Sequence, residues 1–208
     1  AIWVYLIAGR GEFWRTSKFD DLAPPTGFEN WPSVAVVVPA RDEAAGVGAC
    51  VTSILSQPYP GELSLILVDD QSQDGTAQIA ADAAAALGAS DRLTVLSGRP
   101  LPSGWTGKLW AVKQGLTLVE GRAARPDYVL LTDADIVYSG DVLMRLVARA
   151  QSEQLAMTSI MAKLHCESLA EKYLIPAFIF FFEMLYPFAW VRNRNRATAA
   201  AAGGCILA

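Results

Sequence analysis

The sequence predicts an α/β fold, a doubly wound and mainly parallel sheet with helices on both faces. Three observations carry this. Short β-branched runs alternate with helical patterns, the apolar runs are continuous rather than every second residue, and acidic residues stand at their carboxyl ends. A continuous Val/Ile/Leu run is the mark of a strand buried on both faces. Strands that alternate with helices imply βαβ units and a parallel sheet.

In chain order, residues 1–32 form a lead-in containing Pro and Gly, with a breaker at Pro24-Pro25-Thr26-Gly27. The run at 34–38 is the first strand. Residues 43–57 place Val47, Cys50, Val51, Ile54 and Leu55 at helical spacing. A second strand over 63–68 ends in Asp69-Asp70, and Asp74-Gly75-Thr76 punctuates the start of an alanine-rich helix to about Leu87. A third strand over 93–96 leads to a Gly- and Pro-bearing loop at 98–107 and a helix from Lys108. The fourth strand, 128–131, ends in Thr132-Asp133-Ala134-Asp135. An amphipathic helix over 141–153 and a fifth strand over 156–162 follow.

A length of 208 residues supports one sizeable core. The chain is 52% apolar and 18% charged, more apolar than an average soluble domain. A net charge of −4 gives no reason to expect nucleic acid as a partner. Cys50, Cys166 and Cys205 are odd in number with no CxxC, which reads as reduced thiols in a cytosolic setting. The lone His165 reads as structural. The opening run Ala1-Ile2-Trp3-Val4-Tyr5-Leu6-Ile7-Ala8 is too short to span a bilayer and reads either as the end of a spanning helix or as a buried strand. Arg10, Arg15 and Lys18 then place that side in the cytoplasm. Residues 174–191 are almost wholly apolar, but Glu183, Pro176 and Pro187 argue against a clean span. An interfacial segment is expected, with Arg192, Arg194 and Arg196 meeting anionic headgroups, and a buried helix of the globular domain is the alternative. The expected division is therefore a lead-in over 1–32, a nucleotide-binding domain over 33–165 and an apolar, acceptor-side region over 166–208.

Ligands of open α/β sheets sit beyond the carboxyl ends of the strands. Carboxylates gather there: Asp42 and Glu43 after the first strand, Asp69 and Asp70 after the second, Asp133 and Asp135 after the fourth. Crowded carboxylates repel one another unless a cation neutralises them. Asp133 and Asp135 make a hard-oxygen pair suited to Mg²⁺ or Mn²⁺, and through the metal to a diphosphate. In the run from Asp69 to Thr76, an Asx turn and helix cap account for Asp74. They leave Asp70 free to accept the imide N–H of a uracil ring. Lys108 at a helix start suits phosphate oxygens. Trp105 and Trp110 beside it fit either a ligand-facing loop or packing anchors.

Pro39-Ala40-Arg41-Asp42-Glu43, Val68 through Thr76, Gly107-Lys108 and Asp133-Ala134-Asp135, in this order and spacing, resemble the family-2 inverting glycosyltransferases of the GT-A fold. The resemblance implies that Pro39, Arg41 and Glu43 line the nucleoside pocket and that Asp70 holds the base. It further implies that Lys108 faces the diphosphate or ribose, and that Asp133 and Asp135 carry ribose and metal. Gly104 through Trp110, Leu174 through Phe178 and Ala202 through Cys205 resemble in particular the bacterial hopene-associated glycosyltransferases. That likeness implies a UDP-sugar donor, a divalent cofactor, a hopanoid-related lipid acceptor and a place on the cytoplasmic face of the bacterial inner membrane. The family's general base, an acidic residue in a later motif, has no counterpart up to Ala208 and is expected beyond it. A dinucleotide enzyme is excluded because Gly46-Val47-Gly48 lacks the third glycine and lies well past the strand end. A phosphatase of the haloacid-dehalogenase type leaves Asp69-Asp70 without a role. Phospho- or nucleotidyl transfer, and a non-catalytic domain that binds nucleotide or membrane, stay as alternatives.

Overall fold

The computed structural model describes residues 1–15 and 30–208. The Pro24–Gly27 breaker and Lys18 lie outside them. The chain divides into two compact units, one of Ala23–Met161 with Ala202–Ala208, the other of Ala1–Leu22 with Ala162–Ala201.

The first unit is the α/β core. Its strands are β1 (Val34–Ala40), β2 (Leu63–Asp69), β3 (Leu93–Ser97), β4 (Tyr128–Thr132), β5 (Thr158–Ser159) and β6 (Cys205–Leu207). Its helices are α2 (Val47–Leu55), α3 (Thr76–Ala86), α4 (Gly107–Glu120) and α5 (Val142–Ser152). The sheet order is β3-β2-β1-β4-β6-β5, with β1 to β4 mutually parallel. Successive strand residues point to opposite faces. Ala35, Val37, Ile66 and Val68 therefore share one face, packed with Ala111 and Val119 of α4. Val36, Val38, Leu65 and Leu67 fill the other and are fully buried. Gly115 allows the close approach of α4, since a Cβ there would lie 2.4 Å from Val37 Cγ1.

The chain winds outward from β1 through β2 to β3, and α4 then returns it to β4 on the other side of β1. The carboxyl ends of β1 and β4 thus flank the switch point where ligands of such sheets bind. At the far edge the sequence expectation fails. The fifth strand, expected over 156–162, is only Thr158–Ser159, and it runs antiparallel to β6, as β6 does to β4. The reason is partner length: β6 has three residues and pairs with Thr158 and Ser159 alone in β5. β6 itself is brought in from far along the chain and held by the Thr132 hydroxyl donating to Gly204 O at 2.8 Å.

The second unit is helical. A turn, α1 (Ile2–Val4), runs into a π-helix at Tyr5–Gly9. Later come α6 (Leu169–Leu185) and α7 (Phe188–Val191). A capping box starts α6: Ser168 Oγ accepts the Glu171 N–H, and the Glu171 carboxylate accepts the Ser168 N–H. At the other end, Arg10 donates to the carbonyls of Met184 and Leu185 at 2.9 and 3.2 Å. The guanidinium groups of Arg10 and Arg196 also lie 4.9 and 4.3 Å from the Trp190 ring centre. Leu169–Val191 is long and apolar enough to cross a membrane by length and composition. Tyr173, Leu174, Phe178 and Phe181 are exposed along it, while Glu183 is buried.

Candidate functional site

A cleft of about 280 Å³ opens at the switch point. It is lined by Pro39 near the end of β1, Arg41 and Glu43 after it, Asp70 after β2, Lys108 on α4, and Asp133 and Asp135 after β4, while Asp42 and Asp69 stay outside the lining. Two ion pairs cross it, Arg41 Nη1 to Asp70 Oδ2 at 3.6 Å and Lys108 Nζ to Asp133 Oδ1 at 2.6 Å. Asp70 is nearly buried and is seated by its own N–H donating to Ala40 O at 2.8 Å. The loop after β3 comes close to this corner. A Cβ on Gly107 would sit 3.2 Å from Asp70 Oδ2, and one on Gly98 2.9 Å from Asp69 O. Glycines at both places let that loop pass the end of β2.

Burial and crowded negative charge both act on the cleft's ionisable groups. The Glu43 carboxyl is raised above its ordinary range, first by burial and then by the charges of Asp135, Asp74 and Asp133. The buried Cys50 thiol is pushed up to about 12, first by burial and then by the charges of Asp135, Asp133 and Glu43, which disfavours the reactive thiolate.

Asp42 and Gln71, at the ends of β1 and β2, both adopt left-handed backbone conformations, with φ of 54° and 63°. They turn the two loops towards each other, and a clasp of hydrogen bonds joins them. The Asp42 N–H donates to Ser72 Oγ at 3.0 Å, and the Gln73 N–H to Asp42 Oδ1 at 2.8 Å. The Glu43 N–H donates to Thr76 Oγ1 at 2.8 Å, and the Ala44 N–H to Asp74 Oδ2 at 2.9 Å. These loops carry Arg41 and Glu43 on one side and Asp70 on the other, so the clasp fixes the cleft's width there. Asp74 does more than the helix cap read from the sequence. The cap position is Gly75, at φ 88°, and Asp74 accepts from the first helical N–H, that of Thr76, while reaching across to Ala44. The Thr76 hydroxyl and the Ala44 N–H hold the Asp74 carboxyl below its usual range. Asp42, Ser72 and Thr76 stand in the motifs read from the sequence, but their part in joining the two loops was not foreseen. The available signal was that residues 69–76 hold more hydrogen-bonding side chains than one cap uses.

Other expectations divide. Asp69 turns away from the cleft lining and accepts the Ser72 N–H at 3.1 Å. Trp110 is a packing anchor: its indole N–H donates to Arg99 O at 3.0 Å, and its ring meets Trp105 edge-on at 5.4 Å. His165 lies among Glu167 and Glu171 in the helical unit, outside the cleft lining.

The chain matches the family described as glycosyltransferase like family 2 over residues 32–205. It belongs to that family. An N-acetylglucosaminyltransferase of Mesorhizobium japonicum is 30% identical over 152 residues, 73% of this chain and 32% of that protein. An N-acetylglucosaminyltransferase of Rhizobium meliloti is 43% identical over 53 residues, 25% of this chain and 12% of that protein. The chain thus spans about a third or less of the curated relatives it matches. Among solved structures, a mannosyltransferase of Pyrobaculum calidifontis in complex with GDP-Man and Mn²⁺ superposes with a TM-score of 0.58. It is 20% identical and covers 98% of this chain and 54% of its own. The likeness confirms the GT-A architecture of this family-2 chain.

The residues present fit a divalent cation in one specific way. Among the described residues no three His, Cys, Asp or Glu side chains converge as a metal cage. The cleft instead offers Asp133 and Asp135, with a Lys108 ammonium already standing as a cation on Asp133. One or two carboxylates completed by substrate phosphates and water is the usual setting for Mg²⁺.

Proposed function

We propose that this chain is the donor-binding part of an inverting glycosyltransferase that moves a sugar from a UDP-sugar to a lipid acceptor related to the hopanoids. The observation that supports this most is the meeting, in one cleft, of a nucleoside side (Pro39, Arg41, Glu43 and Asp70) and a phosphate side (Lys108, Asp133 and Asp135). On the nucleoside side, Asp70 accepts the imide N–H of the base, and Arg41 beside it holds the carboxylate in place. Pro39 and Glu43 wall the ribose. On the phosphate side, Lys108 and the amino end of α4 stabilise the negative charge that grows on the diphosphate as it leaves. Asp133 and Asp135 would hold Mg²⁺ or Mn²⁺, which when bound supplies further positive charge against the leaving diphosphate. The acceptor hydroxyl attacks from the opposite side of the sugar, and its proton goes to an acidic residue outside these donor-side carboxylates.

The lipid part of the reading rests on α6. Leu169–Val191 as a whole is long enough to cross a membrane, but its unbroken part, the seventeen residues of α6, reaches only roughly 25 Å at 1.5 Å each, against a ~30 Å hydrocarbon core. The chain breaks at Tyr186-Pro187, and exposed aromatic residues line the helix. These features favour an interfacial segment on the cytoplasmic face of the bacterial inner membrane. Calorimetric titration with UDP and Mn²⁺ tests the donor site. Wild type should bind UDP at least about tenfold more tightly with Mn²⁺ than with chelator, and Asp135→Asn should lose that gain, as expected when a charged hydrogen-bonded partner is removed. UDP affinity indifferent to both chelator and substitution would sink the metal assignment.

A further inference from the structure

We infer that Lys108 is a placeholder cation: it occupies Asp133 until a divalent metal and the donor diphosphate arrive, and its transfer to the diphosphate couples their binding. This rests on the donor-site reading above and deepens it.

The pair is well placed for exchange. Lys108 Nζ lies 2.6 Å from Asp133 Oδ1, and the two side chains are 57% and 31% exposed. Solvated pairs of this kind shift an equilibrium by only about two- to fivefold, so the contact opens readily. The other cation lining the cleft, Arg41, faces Asp70 instead. A metal that enters alone must take Asp133 from Lys108 and leave the ammonium facing a second cation. A diphosphate that enters alone draws Lys108 away and leaves Asp133 uncompensated beside Asp135 and Glu43. When both enter, Lys108 moves to phosphate oxygens and the metal takes the freed carboxylate, so every charge keeps a partner. Lys108 is the second residue of α4, whose cap Thr106 makes no side-chain hydrogen bond and whose first turn has no acidic residue. Nothing on that turn competes with phosphate for the ammonium. Coupling of this kind is reciprocal: the factor by which diphosphate tightens metal equals the factor by which metal tightens diphosphate.

The test counts bound Mn²⁺ by electron paramagnetic resonance on the intact chain, alone, with uridine and with UDP, after correction for Mn²⁺ held by free UDP. Lys108→Met is compared with Lys113→Met, which removes the same charge from the same helix at a lysine that faces Glu120 at 3.9 Å. Lys108→Met should bind Mn²⁺ alone about threefold more tightly than wild type, the range of a released exposed pair. It should also show a smaller enhancement by UDP. Lys113→Met should behave as wild type, and uridine, lacking the diphosphate, should enhance nothing. If wild type binds no Mn²⁺ even with UDP, the metal reading falls and the placeholder role with it. If wild type binds Mn²⁺ with UDP but Lys108→Met matches it for metal alone, or Lys113→Met moves as far, the exchange is wrong and the donor site stands.

Discussion

In the sheet, Val34, Val36, Val37 and Val38 are shut away from solvent, and the charged residues collect at the strand ends. Along α6 the order is reversed: Leu169, Tyr173, Leu174, Phe178 and Phe181 face outward while Glu183 is buried. Both regions are rich in apolar residues, and the difference lies in what each is sorted against. β1 and β2 are buried against helices on both faces, so burial there is complete within the protein. In α6 the exposed face is wide and aromatic, the composition expected of a helix whose apolar partner is lipid rather than protein. Hydrophobicity by itself therefore says little about position. The geometry that closes around it, or leaves it open, decides.

The largest effect expected from this contrast is on stability. Ile66 is fully buried between β1, β3 and α4, so Ile66→Ala should cost about 2–5 kcal/mol in urea unfolding. Leu174→Ser with Phe181→Ser, both exposed, should leave the unfolding midpoint nearly unchanged. The same pair should reduce retention on anionic liposomes at least about tenfold, since each side chain withdrawn from lipid forfeits the transfer energy of a buried apolar group. A large loss of stability from the α6 pair would break the contrast and make that helix part of a protein core.

A second test compares two carboxylates four residues apart, one lining the cleft and one in the clasp beside it. Asp70 faces the cavity beside Arg41, and Asp74 ties the Ala44 and Thr76 N–H groups. Asp70→Asn should weaken UDP binding by roughly ten- to a hundredfold, as for a charged hydrogen bond lost, with little change in melting. Asp74→Ala should lower the melting temperature measurably and weaken UDP only through the loosened clasp. Equal melting shifts for both, with UDP affinity untouched by either, would show that the division of labour is false.

Much of this was legible in the sequence because it is local. A continuous β-branched run announces a buried strand, and a strand's carboxyl end announces where a polar residue meets ligand, so the carboxylates of the cleft could be assembled from spacing, while Pro39 and Arg41 came from the family resemblance. What escaped depends on contacts between distant residues. β6 is three residues with no period to detect, and its place between β4 and β5 follows from pairings with Leu130 and Thr158 that no local pattern encodes. The clasp escaped for a related reason. Asp42 reads as one more loop carboxylate until its left-handed φ and its bond from the Gln73 N–H are seen together.

The smallest predicted effect concerns the charge crowding itself. The Glu43 carboxyl is raised in the fold, by burial first and then by Asp135, Asp74 and Asp133. A raised carboxyl favours its protonated form when folded. Its contribution to stability is therefore fully present below the unfolded value, near the ordinary 4.5, and is lost as pH rises through the folded value. At neutral pH the ionised side chain is thus a small net burden that the fold carries for its ligand. Glu43→Gln keeps the shape and removes the charge. Measured in chelator, so that no metal relieves the crowding, the variant should melt slightly above wild type at pH 7. That advantage should fade as pH falls through the folded value and be gone below about 4.5. Its UDP affinity with Mn²⁺ should drop, because the charge that strains the empty cleft would be the one the ligand needs. An advantage that persists at pH 4 would mean that the gain does not come from removing the charge, and no advantage at pH 7 would mean that solvent already relieves the Glu43 charge; either result would show that the crowding carries no stability cost.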